Sequence, residues 1–285
     1  MNQTEPSSPE LWVRHLEMVP YGDALALQLD IRERRLAGEL PVTLLLLEHP
    51  PVYTRGRRAA AGELALGEDY YRSRGIEVVQ TDRGGRVTYH GPGQLVGYPI
   101  MRVHDIGAHL RTMEAAIVAV LADEGIEARS RCEEGPDYTG VWVEDRKIAS
   151  IGVHVSRGIS THGFAVNVDN DLEPFSWVIA CGLPDVEMTS IARELPPGRT
   201  IDPDGFRARM AQRFAEAHDL CPRTVMQSEL MRGRIPIGDR RDLRSASVDA
   251  RGSWTTCADA GGSSIGQMSP LPLAARPVTT GGAQG

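Results

Sequence analysis

Lysine is almost missing from this chain of 285 residues: Lys147 stands alone against thirty arginines. A guanidinium keeps its charge at any working pH, whereas burial or a neighbour can tune an ammonium, so amine proton chemistry falls on this one position. Aromatic residues are also scarce, at 5%, which leaves packing to aliphatic side chains. The formal net charge is −7, with no basic excess of the kind a general nucleic-acid binder carries. No run reaches the ~18 apolar residues of a membrane span, and the opening MNQTEPSSPELWVRHLE lacks the basic and apolar segments of a signal peptide. The four cysteines, Cys132, Cys181, Cys221 and Cys257, form no Cys-x-x-Cys pair and no Cys/His cluster of zinc spacing. These absences predict a cytoplasmic protein with reduced thiols, no metal, no membrane and no nucleic acid.

What is present has the pattern of an ordinary globular domain followed by a tail. After a polar leader, Ala24, Leu25, Leu27, Gln28, Ile31 and Leu36 predict a helix over 23–36, stopped by Gly38. The apolar run Val42 to Leu47, bounded by Pro41 and Pro50, predicts a buried strand. A short helix over 70–74, a strand over 76–80 and a helix over 108–121 follow, the last closed by Gly125. Val141-Trp142-Val143 and Lys147 to Val155 read as a hairpin around Glu144-Asp145-Arg146, Phe164 to Val168 as a further strand, and 203–220 as an amphipathic helix. Strands and helices intermix without strict βαβ alternation, which predicts an α+β fold, a mixed β-sheet flanked by helices. From Pro236 onward Ser, Thr, Gly, Ala and Pro dominate, no Glu occurs and Trp254 is the sole aromatic. That composition predicts a catalytic domain over 1–235 and a disordered tail over 236–285, leaving Cys257 without fixed surroundings to activate it. Cys132 and Cys221 are assigned to packing.

Three stretches could carry chemistry. Arg83-Gly84-Gly85-Arg86-Val87-Thr88-Tyr89-His90-Gly91-Pro92-Gly93-Gln94 follows a strand, and its paired glycines let backbone approach a ligand while Arg83 and His90 offer polar contacts. It lacks the Gly-Lys-Ser/Thr of a P-loop, and a glycine-rich hairpin is its plain structural alternative. Around Lys147 lie Ser150-Ile151-Gly152 and His162-Gly163-Phe164-Ala165; for Lys147 itself the alternative is a solvated turn residue. In Ala180-Cys181-Gly182-Leu183-Pro184 a thiol sits in an irregular turn, where a small apolar filler is the alternative to a nucleophile. A thiol attacks as thiolate, and a neighbouring lysine can take its proton or stabilise the anion. If 175–180 were helical, Cys181 would lie at its negative end, which opposes thiolate formation.

These motifs, with Tyr98-Pro99 and the upstream Glu48-His49-Pro50-Pro51-Val52-Tyr53-Thr54 and Gly56-Arg57, resemble the octanoyltransferases of lipoate biosynthesis, the lipoyl(octanoyl) transferase B family. The likeness covers roughly residues 12–220, with five motifs in the same order. It implies the biotin/lipoate protein ligase-like (class II synthetase-like) fold. It further implies transfer of an octanoyl group from octanoyl-acyl carrier protein to one lysine of a lipoyl domain, in the E2 subunits of 2-oxoacid dehydrogenases or the glycine cleavage H protein. By the same resemblance Cys181 is the acyl-accepting cysteine and Lys147 lowers its pKa. Arg83 to His90, Ser150 to Gly152 and Gly163 to Ala165 are the substrate-binding stretches, and His49 and His162 are further pocket candidates. No cofactor, ATP or metal is implied.

Three rival readings remain. An ATP-dependent lipoate or biotin protein ligase would use the lysine and glycine-rich loop without a nucleophilic cysteine. A cysteine thioester hydrolase would pair Cys181 with His162 or His90. A non-catalytic carrier-binding protein would form no acyl adduct. Because carrier protein and lipoyl domains are acidic, Arg55, Arg57, Arg58 and Arg86 are expected to form a local basic face, with an ordinary solvated surface as the alternative.

Overall fold

The computed structural model of the chain describes residues 9–183 and 186–232, apart from the side chains of Ala61 and Cys181. The boundary expected at 235 and the tail over 236–285, with Trp254 and Cys257, lie outside the described residues.

In chain order the elements are β1 (Glu10–Met18), α1 (Tyr21–Leu36), β2 (Val42–Glu48), β3 (Val52–Arg55), α2 (Glu68–Ser73), β4 (Glu77–Gln80), β5 (Val87–His90), β6 (Gln94–Ile100), α3 (Ile106–Asp123), β7 (Arg129–Ser130), β8 (Gly140–Val143), β9 (Arg146–Ser156), β10 (Ile159–Asn167), α4 (Ile191–Glu194), α5 (Pro203–Ala217), β11 (Cys221–Thr224) and α6 (Gln227–Leu230). Eight strands form a mixed sheet in the order β11-β1-β2-β6-β10-β9-β8-β7, parallel at β11-β1-β2 and antiparallel beyond. Three more form a separate small sheet, β4-β3-β5.

Both faces of the large sheet are covered, and β2 shows why it reads as an unbroken apolar run. Leu44 and Leu46 pack with α3 and α5 on one face, whereas Leu45 and Leu47 pack with α1 on the other. Along α3, Met113, Ala116, Ile117, Val120 and Leu121 recur at helical spacing and are buried. Asp105 caps its N-terminus by accepting from the Ala108 N–H at 3.0 Å, and Gly125 beyond its end adopts φ +76°. A third core, with Tyr53, Tyr71, Tyr89 and Phe175, lies at the small sheet.

Several expectations are corrected. Within the leader Glu10–Met18 is a strand: Leu11 and Val13 point into the core on one face of the sheet, and Trp12 between them packs on the other. The strand expected from Phe164 begins at Ile159, because Ser160, Thr161 and His162 are polar yet buried. The single expected sheet is joined by a second. The segment 175–180 is not a helix: two 3₁₀ turns, Glu173–Trp177 and Ala180–Gly182, are separated by extended backbone at Val178, so no helix dipole ends on Cys181. Cys221 is exposed and Cys132 partly so, which removes the packing role given to Cys221. Among the described residues no helix is long and apolar enough to cross a membrane.

Candidate active site

A cleft of about 60 Å³ opens where β6, β9 and β10 of the large sheet face β5 of the small one. Glycine makes the approach possible. Gly163 lies opposite Gly152 across the β9–β10 ladder. A Cβ on Gly152 would stand 2.8 Å from the Gly84 carbonyl oxygen, so only glycine lets the 83–86 loop lie on β9. The Gly84 N–H donates to the Val153 carbonyl at 2.9 Å and staples that loop down.

Arg83, Gly85, Arg86, Val87, Thr88, His90, Ser150, Ile151, Gly152, Gly163, Phe164, Ala165, His162 and Lys147 all line the cleft. Gly84, Tyr89 and His49 do not. Gly84 serves as the staple, while Tyr89 alternates to the opposite face of β5 and packs on Tyr53 and Phe175. His49 sits behind the wall, its Nδ1–H donating to the Val19 carbonyl at 2.6 Å and its Nε2 accepting from the Tyr98 hydroxyl at 2.7 Å. The sequence reading missed Tyr21, Val96, Tyr98, Pro136, Asp137 and Thr139. None of these belongs to a glycine-rich or charged motif, although Tyr98 stood in the quoted Tyr98-Pro99 pair.

Lys147 is 1% exposed, which excludes the solvated-turn reading. The tight turn is Glu144-Asp145, so β9 begins at Arg146, one residue before the strand start expected at Lys147; Lys147 points inward opposite Trp142, its Nζ 5.1 Å from the indole centroid. Its backbone is held by the strand partner segment 187–189: the Lys147 N–H donates to Glu187 at 2.8 Å, and its carbonyl accepts from Thr189 at 3.0 Å. That segment follows the turn bearing Cys181. The backbone of Cys181 lies in the Ala180–Gly182 turn, against β5 and the 136–138 turn, while its side chain is outside the described residues. Arg86 extends over Gly182, steadied by the buried Glu63 carboxylate at 2.7 Å.

Burial keeps the imidazoles of this wall neutral near pH 7. His49 is pushed down to about 4, and His90 well below its usual value, chiefly by desolvation. His90 spans Gln94 (Nδ1, 2.7 Å) and Thr54 (Nε2, 3.4 Å). Arg83 is also built in, its guanidinium donating to the Thr54 hydroxyl at 2.7 Å and the Gly84 carbonyl at 3.0 Å. The Thr88 hydroxyl oxygen is buried and faces the cleft, and among the described residues it has no hydrogen-bond partner. Of the expected basic face, Arg55 pairs with Glu68, Arg58 with Asp137 at 2.9 Å and Arg86 with Glu63; Arg57 is exposed. Among the described residues no three His, Cys, Asp or Glu side chains group so as to hold a metal ion.

Comparison with known proteins adds a lineage to this geometry. The family described as the lipoyl protein ligase A/B catalytic domain matches residues 20–215. An octanoyltransferase of Rubrobacter xylanophilus is 47% identical over 219 residues, covering 75% of this chain and 96% of that protein. Another, from Mycobacterium ulcerans, is 41% identical over 251 residues, covering 82% and 94%. Among solved structures, lipoate-protein ligase A bound with ATP superposes with a TM-score of 0.60 at 22% identity, covering 77% of this chain and 91% of that one. A bipartite lipoate protein ligase from Thermoplasma acidophilum does so at 0.59 and 22%, covering 77% and 89%. At such identity the structural likeness is one of fold.

Proposed function

Since the chain belongs to the lipoyl protein ligase A/B catalytic family and, within it, to the octanoyltransferases, we propose that it takes its octanoyl group from acyl carrier protein and carries it on Cys181. The acceptor is a lysine of a lipoyl domain, in E2 subunits or the glycine cleavage H protein. The observation that carries this reading is the placement of Lys147. The only lysine of the chain is buried in the cleft, and its backbone pairs with the segment that runs on from the Cys181 turn.

In the first step the Cys181 sulfur, relieved of its proton with the help of Lys147, attacks the donor thioester carbonyl. A new C–S bond forms, the donor C–S bond breaks, and the carrier thiol leaves with the proton. One thioester replaces another, so the step needs no nucleotide. In the second step the acceptor amine attacks, C–N forms, and sulfur leaves; exchanging a thioester for an amide drives it downhill. The alkyl chain offers only length for recognition, each buried methylene contributing about 0.8 kcal/mol, and Val96, Ile151, Phe164 and Ala165 supply apolar wall.

Intact-mass measurement after incubation with octanoyl-carrier protein tests the proposal. The expected result is an octanoyl mass increment that Cys181→Ala abolishes and a lipoyl domain discharges. An increment surviving in Cys181→Ala, or full transfer by Cys181→Ser in the presence of ATP, would instead support the ligase route.

A further inference from the structure

His162 occupies the middle of β10 with φ +58°, a left-handed backbone that a side chain with a Cβ rarely takes inside a strand. Three polar contacts hold it there. Its N–H donates to the Gln28 side-chain oxygen at 2.6 Å, its Nε2 contacts the Asp82 carboxylate at 2.6 Å, and its Nδ1 lies 3.3 Å from the Tyr21 hydroxyl. Asp82 can only accept, so Nε2 bears the ring hydrogen; in the neutral ring Nδ1 is then the acceptor, and Tyr21 donates to it. Tyr21 and His162 both line the cleft, whereas the Asp82 side chain is half-exposed. A strained residue fixed by so many partners at a cleft wall invites a functional explanation.

The geometry points to Asp82, His162 and Tyr21 as a base relay that takes the proton from the incoming acceptor amine, an inference that rests on the transferase reading above. The two half-reactions differ in their proton count. Thioester exchange hands the Cys181 proton to the departing carrier thiol and releases none. Aminolysis starts from an ammonium: two protons must leave its nitrogen, one returning to the departing Cys181 sulfur, the other needing a base. Tyr21 accepts that proton on its oxygen as its own passes to His162 Nδ1, so no tyrosinate forms. Asp82 holds the ring in the required tautomer and stabilises the imidazolium. When product leaves, the imidazolium returns the proton to water in the opened cleft.

The surroundings suit a ring that is neutral at rest. Desolvation holds His162 below its usual pKa, and the charges of Arg83 and His154 press the same way, while Asp82 opposes them. Arg83, Asp82 and the Thr81 hydroxyl face Tyr21, which burial raises to about 12. The Tyr98 ring stands 6.4 Å from His162, and neutral His90 and His49 lie on Tyr21.

The test separates the half-reactions in the full chain. Wild type, Tyr21→Phe and Asp82→Asn are loaded from octanoyl-carrier protein, and loading and discharge to a lipoyl domain are timed from pH 6 to 9. Tyr21→Phe is expected to slow discharge on the order of a hundredfold, the scale of lost acid–base help, and far more than loading. Its deficit should shrink as pH rises and more acceptor amine is already neutral. Hydroxylamine, uncharged at neutral pH, should discharge Tyr21→Phe and wild type alike. Asp82→Asn should show the same split more weakly. Equal losses in loading and discharge, or discharge of Tyr21→Phe at the wild-type rate, overturn the relay while leaving the acyl-enzyme intact. A wild type that never gains octanoyl mass overturns both.

Discussion

Lys147 and Trp142 face each other across the β8–β9 ladder, with the Lys147 Nζ 5.1 Å from the indole centroid and the Arg131 guanidinium 4.7 Å from the same ring. Trp142 is fully buried and its Nε1–H donates to the Tyr138 carbonyl at 2.9 Å. The ring therefore gives the cleft lysine a rigid seat. Trp142→Ala should lower the unfolding free energy by about 3–5 kcal/mol in denaturant titration. Trp142→Phe, which keeps an aromatic face, should retain more acyl loading than Trp142→Leu. Equal loading by Phe and Leu variants would mean the ring only fills space.

The hairpin bearing Lys147 is pinned from α3. Glu114 is buried, and its carboxylate accepts from the Gly140 N–H at 2.9 Å and the Ser130 hydroxyl at 2.6 Å, with Arg111 alongside at 3.0 Å. Glu114→Ala orphans these donors, and the expected loss is roughly 1–3 kcal/mol. Thermal or chemical unfolding checks it; an unchanged midpoint would show that Gly140 finds another acceptor without cost.

Gly152→Ala probes the contact between loop and sheet. The added methyl would press on the Gly84 carbonyl and displace the 83–86 loop from β9, so loading should fall steeply while far-ultraviolet dichroism stays native. Loading at the wild-type rate would rule out that loop as a wall of the acyl site.

Stability should fall on the acid side. His49 and His109 each have a folded pKa of about 4 against about 6.5 when unfolded, so the folded state binds fewer protons. Their contribution is complete above about pH 6.5, declines as pH falls below it and levels off near 4. For His49 the full difference is on the order of 3 kcal/mol. Denaturant titrations between pH 7.5 and 4 should slope downward, and His49→Gln should flatten part of the slope. A level profile in wild type would contradict the buried neutral imidazoles.

Charge reversal at the mouth should discriminate among the arginines. Arg57 is exposed, whereas Arg55, Arg58 and Arg86 face carboxylates. Arg57→Glu should raise the KM for carrier protein at low salt more than Arg58→Glu does. Identical KM values would remove Arg57 from the docking surface.

Much of this was readable from local pattern. The helices over 21–36, 106–123 and 203–217 and the strand over 42–48 lie where apolar spacing predicts them, because periodicity reports which side of an element is buried. β1 escaped because Leu11 and Val13 go to one covered face and Trp12 and Leu16 to the other, so its apolar residues do not alternate with polar ones, and β5 because glycines on both sides make its four residues read as loop. Tyr89 was grouped with its motif, yet the two-residue period of a strand turns it away from Thr88 and His90.

By itself the sequence determined the three long helices and the buried strand after the first of them, the motifs of the glycine-rich loop, and the singular position of Lys147, which composition alone isolates. Tertiary structure decided that this lysine is buried, that Gly152 meets Gly84, that a second sheet closes the cleft, and that Tyr21, Asp82 and His162 meet there. The physical reason is one of range. Propensity and periodicity act over a few residues, whereas these contacts join residues 68 to 141 positions apart through strand register and the fit of side chains, which no local pattern encodes.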